Sequence, residues 1–177
     1  MKEQLIKLTN TEDLVEIYND LGDVDICAVA KVLYVSDDYV ILANITPNGM
    51  YDGFSLMKTD TIFQINIDSR YLRKIKKLYL TKKQTHMKLE MENKNLMEGI
   101  LDFAYQNKFL ILVELLERAN VQGIIKCKVD DILVLSVINQ YGQYDGESIF
   151  KIEDITSMNI DDEERNCIKL LDFDNRE

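Results

Sequence analysis

Short apolar runs separated by polar turns dominate the chain, and this pattern predicts β-strands. Residues 26–35 and 123–129 are rich in β-branched side chains, and each run leads into an Asp-Asp turn short enough for a tight hairpin. Return strands follow directly, and a single 3₁₀-type turn is expected before the last strand of each set. In chain order, the predicted strands are 14–18, 26–35, 39–45, 54–58, 63–67, 109–116, 123–129, 132–138, 147–152 and 157–160.

Helical periodicity is confined to shorter parts of the chain. Apolar positions recur on one helical face in residues 96–106, and residues 2–8 fit a shorter helix of the same kind. A third helix is expected to begin near residue 70, where Asp68 or Ser69 can cap it. The acidic run 161–164 favours the start of a terminal helix, because negative charge stabilises a helix N-terminus.

The chain also resembles itself at a displacement of 93 residues. Residues 28–78 match residues 121–171 without a gap at 17 of 51 positions. Asp37-Asp38 aligns with Asp130-Asp131, and Asn66-Ile67-Asp68 aligns with Asn159-Ile160-Asp161. The shared positions are turn residues and alternating apolar residues, so the pattern predicts duplication of one structural unit.

A Tyr-Asp-Gly motif occurs once in each of these segments. Its members are Tyr51, Asp52 and Gly53, and Tyr144, Asp145 and Gly146. An aromatic ring and a carboxylate beside a flexible turn could hold a ligand. The structural interpretation is favoured: glycine permits a positive φ, aspartate accepts backbone N–H groups, and tyrosine covers the end of a barrel.

In each half, a helix is followed by five short strands, with a long second strand and a turn before the last. This order resembles the Sm-like and SH3-like small β-barrels, and in particular a bacterial family of tandem, duplicated barrels. The resemblance favours a strand at 109–116, whose apolar run fits a buried helix equally well. RNA-binding Sm proteins carry an Arg-Gly step on the fourth strand, and the matching segments here lack it, so their RNA site is not implied.

The predicted fold class is therefore mainly β with helices (α+β), with two small barrels joined by a basic connector. The first helix and barrel span residues 1–69, the connector spans 70–94, and the second helix and barrel span 95–177.

Charge is distributed unevenly along the 177 residues, whose net charge is −10. Residues 1–69 carry 4 basic and 12 acidic side chains, residues 70–94 carry 9 and 2, and residues 95–177 carry 8 and 17. The segments therefore have net charges of −8, +7 and −9. The total argues against binding a polyanion over the whole surface, but not against a local anionic partner.

The basic connector is the main candidate binding surface. A phosphate or an acidic partner could bind there, with tyrosines stacking on a base. The alternative, which we favour, is that the connector lies between two anionic barrels and relieves their repulsion. The candidate residues are Arg70, Tyr71, Arg73, Lys74, Lys76, Lys77, Lys82 and Lys83.

No catalytic or nucleotide-binding motif occurs in the sequence. The single histidine, His86, lies in a polar stretch and is expected to be solvated. Cys27, Cys127 and Cys167 are expected to be buried, small apolar residues rather than ligands. The sequence therefore predicts no enzyme, no cofactor and no metal site; a hydrolase using Asp52 or Asp145 would need clustered carboxylates.

These features favour a non-catalytic module that binds a protein partner through barrel edges or the groove between the repeats. The alternative is binding of RNA or single-stranded nucleic acid by residues 70–94. No apolar run is long enough for a signal peptide or a membrane span, so a cytoplasmic protein without membrane contact is expected. The sequence leaves the oligomeric state open.

Overall fold

Ten strands form one antiparallel sheet in the computed structural model, which describes residues 1–9, 11–23, 25–91, 95–116 and 119–172. Four α-helices accompany the sheet. The helices are α1 (Lys2–Leu8), α2 (Arg70–Thr81), α3 (Leu96–Gln106) and α4 (Glu163–Asp172). The strands are β1 (Val15–Tyr18), β2 (Ala28–Val35), β3 (Tyr39–Ile45), β4 (Tyr51–Lys58), β5 (Gln64–Ile67), β6 (Leu110–Leu115), β7 (Asn120–Val129), β8 (Ile132–Ile138), β9 (Tyr144–Lys151) and β10 (Ile155–Ile160).

The strand order is β5-β1-β2-β3-β4-β10-β6-β7-β8-β9, so each half of the chain supplies five adjacent strands. The two predicted closed barrels are not confirmed, because the sheet is open and β4 pairs with β10 of the other half. In this joint, Leu56 lies opposite Met158, and Phe54 lies opposite Ile160. The strands at the two ends of the sheet are β5 and β9.

The strand registers of the two halves correspond at the same displacement of 93 residues. Ala30 pairs with Asn44 between β2 and β3, and Gly123 pairs with Val137 between β7 and β8. Both hairpins also have a register shift at the same place, after Val32 in the first half and after Ile125 in the second. Residues at matching sequence positions therefore occupy matching positions in the sheet.

The largest apolar core extends across both halves. Helix α3 contacts β3 of the first half and β7 of the second, and its Ile100 and Leu101 are buried together with Phe54 of β4 and Met158 of β10. A smaller core forms where Leu5 of α1 packs over the first half. Because one core draws side chains from both halves, the joint between β4 and β10 is an interior feature of the fold.

Side-chain caps fix where the longer helices begin. Ser69 Oγ accepts the backbone N–H of Leu72 at 3.0 Å, which starts α2 immediately after β5. Asp162 Oδ1 accepts the backbone N–H of Arg165 at 2.8 Å and starts α4 after β10. The two strand-to-helix corners are therefore built alike.

Most of the sequence-predicted elements are present, and β3, β8, α1 and α3 have the predicted bounds. The Tyr-Asp-Gly motifs, expected beside a flexible turn, each begin the strand that follows such a turn. Asp52 and Gly53 together lie opposite Asn44, and this extra residue makes a β-bulge rather than a loop. The cysteines also differ from the prediction: Cys167 is exposed, and Cys27 and Cys127 are only partly buried.

Among the helices of the described residues, none has the length and apolar composition that crossing a membrane requires.

Candidate interaction surface

The first Tyr-Asp-Gly motif holds the corner where β10 ends and α4 begins. The hydroxyl of Tyr51 donates to Asp161 Oδ2 at 2.6 Å. The backbone N–H of Glu163 donates to Asp52 Oδ1 at 3.0 Å, so the carboxylate satisfies a free donor at the N-terminus of α4. The motif therefore binds a strand end and a helix start together.

Gly53 allows the close approach of the two strands at this corner. Its φ is +63°, and a Cβ at this position would lie 2.1 Å from the carbonyl oxygen of Ile160. The positive φ expected from the sequence is therefore observed, and it coincides with a contact that tolerates no side chain.

Burial shapes the electrostatics of this corner. Desolvation, together with the hydrogen bond to Asp161, raises the pKa of Tyr51. Burial also raises the pKa of Asp52, although the N–H of Glu163 opposes the shift. Asp162 and Arg165 are both buried, and the guanidinium Nε donates to the carboxylate at 2.6 Å. These groups fasten α4 to the sheet.

The carboxylates near the corner do not form a metal centre. A cleft of about 440 Å³ is lined by Asp52, Asp162 and Glu163, among others. Within the described residues, no three His, Cys, Asp or Glu side chains are arranged to hold a metal ion. Asp52 is committed to a backbone N–H instead.

The second Tyr-Asp-Gly motif has the same backbone shape but lies at the end of the sheet. Gly146 has a φ of +88°, and nothing lies within 4 Å of the position that a Cβ would occupy. Tyr144 is 52 % exposed, and Asp145 is exposed as well. The Tyr-Asp-Gly bulge therefore occurs twice in the structure, once inside the sheet on β4 and once at the edge formed by β9.

The β5 and β9 edges also expose apolar side chains whose counterparts are buried in the joint. Leu56 of β4 is 0 % exposed, whereas the matching Ile149 of β9 is 67 % exposed. Ile160 of β10 is 0 % exposed, whereas the matching Ile67 of β5 is 62 % exposed. Open strand edges with exposed apolar residues are ready sites for pairing with another chain.

The basic connector is placed on the first half of the sheet. Helix α2 buries Leu72, Ile75 and Tyr79 against residues of the first half such as Val29 and Ile45. Since Tyr79 is buried, it is not available to stack on a base. Tyr71 is exposed, with Lys74 Nζ 5.8 Å from its ring centroid.

Three of the candidate cations are bound to groups of the first half. Arg73 pairs with Asp68 at 2.7 Å, Lys76 pairs with Asp13 at 3.2 Å, and Lys82 donates to the carbonyl oxygen of Asn48 at 2.8 Å. These contacts bind the connector to one half instead of bridging the two predicted barrels.

Other cations of the connector remain without such a contact. No carboxylate of the described residues lies within 4.0 Å of the charged groups of Arg70, Lys74, Lys77 or Lys83. Lys94, at the end of the predicted connector, lies outside the described residues. The exposed side of α2 therefore presents positive charge to solvent.

His86 joins the segment after α2 to the sheet, and the expectation that it is solvated is wrong. Its Nε2 lies 2.8 Å from the carbonyl oxygen of Asn44, and its Nδ1 lies 2.9 Å from the Tyr79 hydroxyl. Because a carbonyl only accepts, the proton is on Nε2 and Nδ1 accepts from tyrosine. The ring also packs against Tyr51 and Phe54, and its burial lowers the pKa of His86.

Sequence reasoning found the two motifs but missed what distinguishes them. The available signal was the residue after each glycine, which is Phe54 in the first motif and Glu147 in the second. Phe54 is buried in the shared core, and Glu147 is exposed and pairs with Lys126. At matching positions of two related strands, an apolar residue in one and a charged residue in the other indicate that the first strand is buried and that the second lies at an edge.

Comparison of the chain with protein-family models, with curated proteins and with solved structures finds no match. Function must therefore be argued from the geometry of the chain's own residues. Two surfaces stand out: the β9 edge with its Tyr-Asp-Gly motif, and the cationic side of α2.

The two glycines provide a matched pair of variants. Gly146→Ala should lower the free energy of unfolding by about 1 kcal/mol, the cost of a positive φ with open space around the new methyl group. Gly53→Ala should cost about 3 kcal/mol or more, because the methyl group also collides with the Ile160 carbonyl. Urea unfolding of dilute protein measures both values, and equal losses would contradict the assigned contact.

His86 should make stability depend on pH near neutrality. Its pKa is lowered in the folded protein, so below pH about 6.5 the unfolded chain binds a proton that the folded chain resists. The free energy of unfolding should therefore fall from pH 7.5 to 5.5, by at most about 1.4 kcal/mol per pH unit from this group. Urea unfolding of His86→Gln should show a shallower fall; an unchanged slope would contradict the assignment.

Proposed function

We propose that the chain is a non-catalytic protein-interaction module that binds an extended partner strand along β9. The proposal rests on one observation: β9 bears the same Tyr-Asp-Gly bulge as β4, where this motif holds β10 in place. Addition of a strand to an open sheet edge is a common mode of protein recognition, in which backbone hydrogen bonds give affinity and alternating side chains give specificity.

The β4–β10 joint supplies the template for this binding. There, the Tyr51 hydroxyl donates to Asp161, Asp52 accepts the backbone N–H of Glu163, and Leu56 lies opposite Met158. The corresponding residues of β9 are Tyr144, Asp145 and Ile149, and all three are exposed. A partner with an apolar strand followed by a helix would fit this edge.

In this proposal, Asp52 and Asp145 act as acceptors for backbone N–H groups and not as acid–base catalysts. The hydrogen bond from Glu163 to Asp52 supports that role. The two halves are proposed to be copies of one Sm-like unit, which the matching registers and bulges support.

The test is to compare the proteins that the tagged chain recovers from its native host. The wild type should recover at least one protein in stoichiometric amount, and an untagged copy of the chain itself counts as such a protein. Ile149→Lys should reduce that recovery, because a charge replaces the exposed apolar side chain of the edge. Leu21→Lys is the control, since Leu21 is at least as exposed as Ile149 but lies between β1 and β2. Recovery that does not depend on Ile149, or no stoichiometric protein, would overturn the proposal.

The second candidate function is binding of RNA or single-stranded DNA by α2. It is favoured by the charges of Arg70, Lys74, Lys77 and Lys83, which point to no acidic partner among the described residues, and by the exposed Tyr71 beside Lys74. Cationic side chains and an accessible aromatic ring are the elements of single-strand binding.

Fluorescence anisotropy with a labelled single strand tests this candidate. Replacing Lys74, Lys77 and Lys83 with Gln should weaken binding and reduce the slope of log affinity against log salt by about 2. The control replaces Lys126, Lys128 and Lys151, which already pair with Glu147, Glu98 and Glu153. Equal effects in both triple variants, or no binding at low salt, would exclude specific binding by α2.

A further inference from the structure

We infer that the partner of the β9 edge is a second copy of this chain, which contributes its β5 strand and the start of its α2 helix. This inference rests on the proposed function and names its occupant. The chain carries both surfaces of one joint: β9 corresponds to β4, and β5 corresponds to β10. Strand β9 of one molecule can therefore pair with β5 of another, as β4 pairs with β10 within one molecule.

The existing joint fixes the register of the proposed one. In the molecule, Leu56 lies opposite Met158, and Phe54 lies opposite Ile160. Displacing each residue by 93 positions places Ile149 opposite Ile65 of the second copy, and Glu147 opposite Ile67. The first of these pairs brings two apolar side chains together across the strands, as favourable cross-strand pairing requires.

Helix α1 of the second copy would shield the apolar side chains of the proposed joint from solvent. Helix α3 precedes the second half of the chain and contacts β3 of the first half, which helps to bury β4. Helix α1 precedes the first half in the same way, and its Ile6 is exposed. In the proposed joint, α1 of the second copy would reach β8 and shield Ile149.

The corner that the second copy would present has the shape that Tyr-Asp-Gly already holds. Asp161, before α4, has a φ of +57°, and the matching Asp68, before α2, has a φ of +52°. Ser69 caps α2 at the position where Asp162 caps α4. The corner between β5 and α2 therefore offers the same backbone groups as the corner between β10 and α4.

Gly146 provides the space that this corner needs. The matching Gly53 lies against the Ile160 carbonyl oxygen, at a distance that excludes a Cβ, whereas the position beside Gly146 is open. In the proposed joint, the Ile67 carbonyl of the second copy takes the place of the Ile160 carbonyl. In a single copy only the positive φ favours glycine at position 146, whereas in the assembly a Cβ there would also collide with this carbonyl.

Charge favours the contact between copies. The residue at the start of α4 is Glu163, which places a second negative charge near Asp52; its counterpart at the start of α2 is Arg70. Asp145 would thus meet a backbone N–H and a cation together. On a larger scale, the +7 of residues 70–94 approaches a segment with net charge −9.

The resulting contact is head-to-tail, because the two copies use different surfaces. A pair of copies still has one free β9 edge and one free β5 edge, so further copies add until a ring closes or a filament extends. The inference therefore predicts assemblies larger than one chain.

Analytical ultracentrifugation of the full chain measures this assembly. The wild type should sediment as species larger than the 20.6 kDa monomer. Gly146→Ala and Ile149→Lys should each raise the dissociation constant by about 30-fold, the effect of losing a central interface residue, and Leu21→Lys should not. Far-UV circular dichroism must show that the variants remain folded. A monomeric wild type, or assembly that Gly146→Ala leaves unchanged, would overturn the inference.

Disulfide cross-linking tests the register itself. In a background with Cys27, Cys127 and Cys167 replaced by Ala, a chain carrying Ile67→Cys is mixed with one carrying Glu147→Cys. Facing residues of antiparallel strands have Cα atoms about 4.5–5.5 Å apart, within the range of a disulfide. The control pairs Gln64→Cys with Glu147→Cys, three positions out of register. Heterodimers should form rapidly with Ile67→Cys only, and equal yields would contradict the register.

Failure of this inference is distinguishable from failure of the proposed function. A monomeric chain that recovers a different protein in an Ile149-dependent way would overturn self-assembly and support strand binding. A monomeric chain that recovers nothing would overturn both.

Discussion

The pairing of β4 with β10 is the interaction on which the rest of the fold depends. It converts two sets of five strands into one sheet, and it allows α3 to bury side chains from both halves in a single core. The close approach at Gly53 and the hydrogen bonds of Tyr51 and Asp52 fix where the two strands meet. Without this joint, Leu56 and Ile160 would be exposed as Ile149 and Ile67 are.

A short local sequence adopts one conformation in two environments. Both glycines of the Tyr-Asp-Gly motifs have a positive φ, and both bulges lie opposite the equivalent position of the preceding strand. The backbone shape is therefore set locally, by glycine and by the turn that precedes it. What differs is the surroundings, and the change from Phe54 to Glu147 follows that difference.

The sequence predicted the elements well because strand alternation and helix periodicity are local properties. The bounds of β3, β8 and α3 depend on side chains within each element. The β4–β10 joint was not predictable, because pairing between strands so far apart along the chain depends on which edges remain open after each half has folded. His86 was assigned wrongly for a related reason: its polar neighbours in sequence say nothing of Tyr51 and Tyr79, which enclose it in space.

The two ends of the sheet differ in charge. Helix α2 follows β5 directly, so the end of the sheet with the β5 edge is also the end with exposed cations. The β9 edge belongs to the half with net charge −9. Each exposed ion pair is worth only about 0–1 kcal/mol, so this arrangement orients a contact more than it strengthens one. A sheet with two like-charged edges would resist contact between copies in every orientation. Opposite charges at its two ends favour the head-to-tail orientation, in which backbone groups and apolar side chains can then supply the affinity.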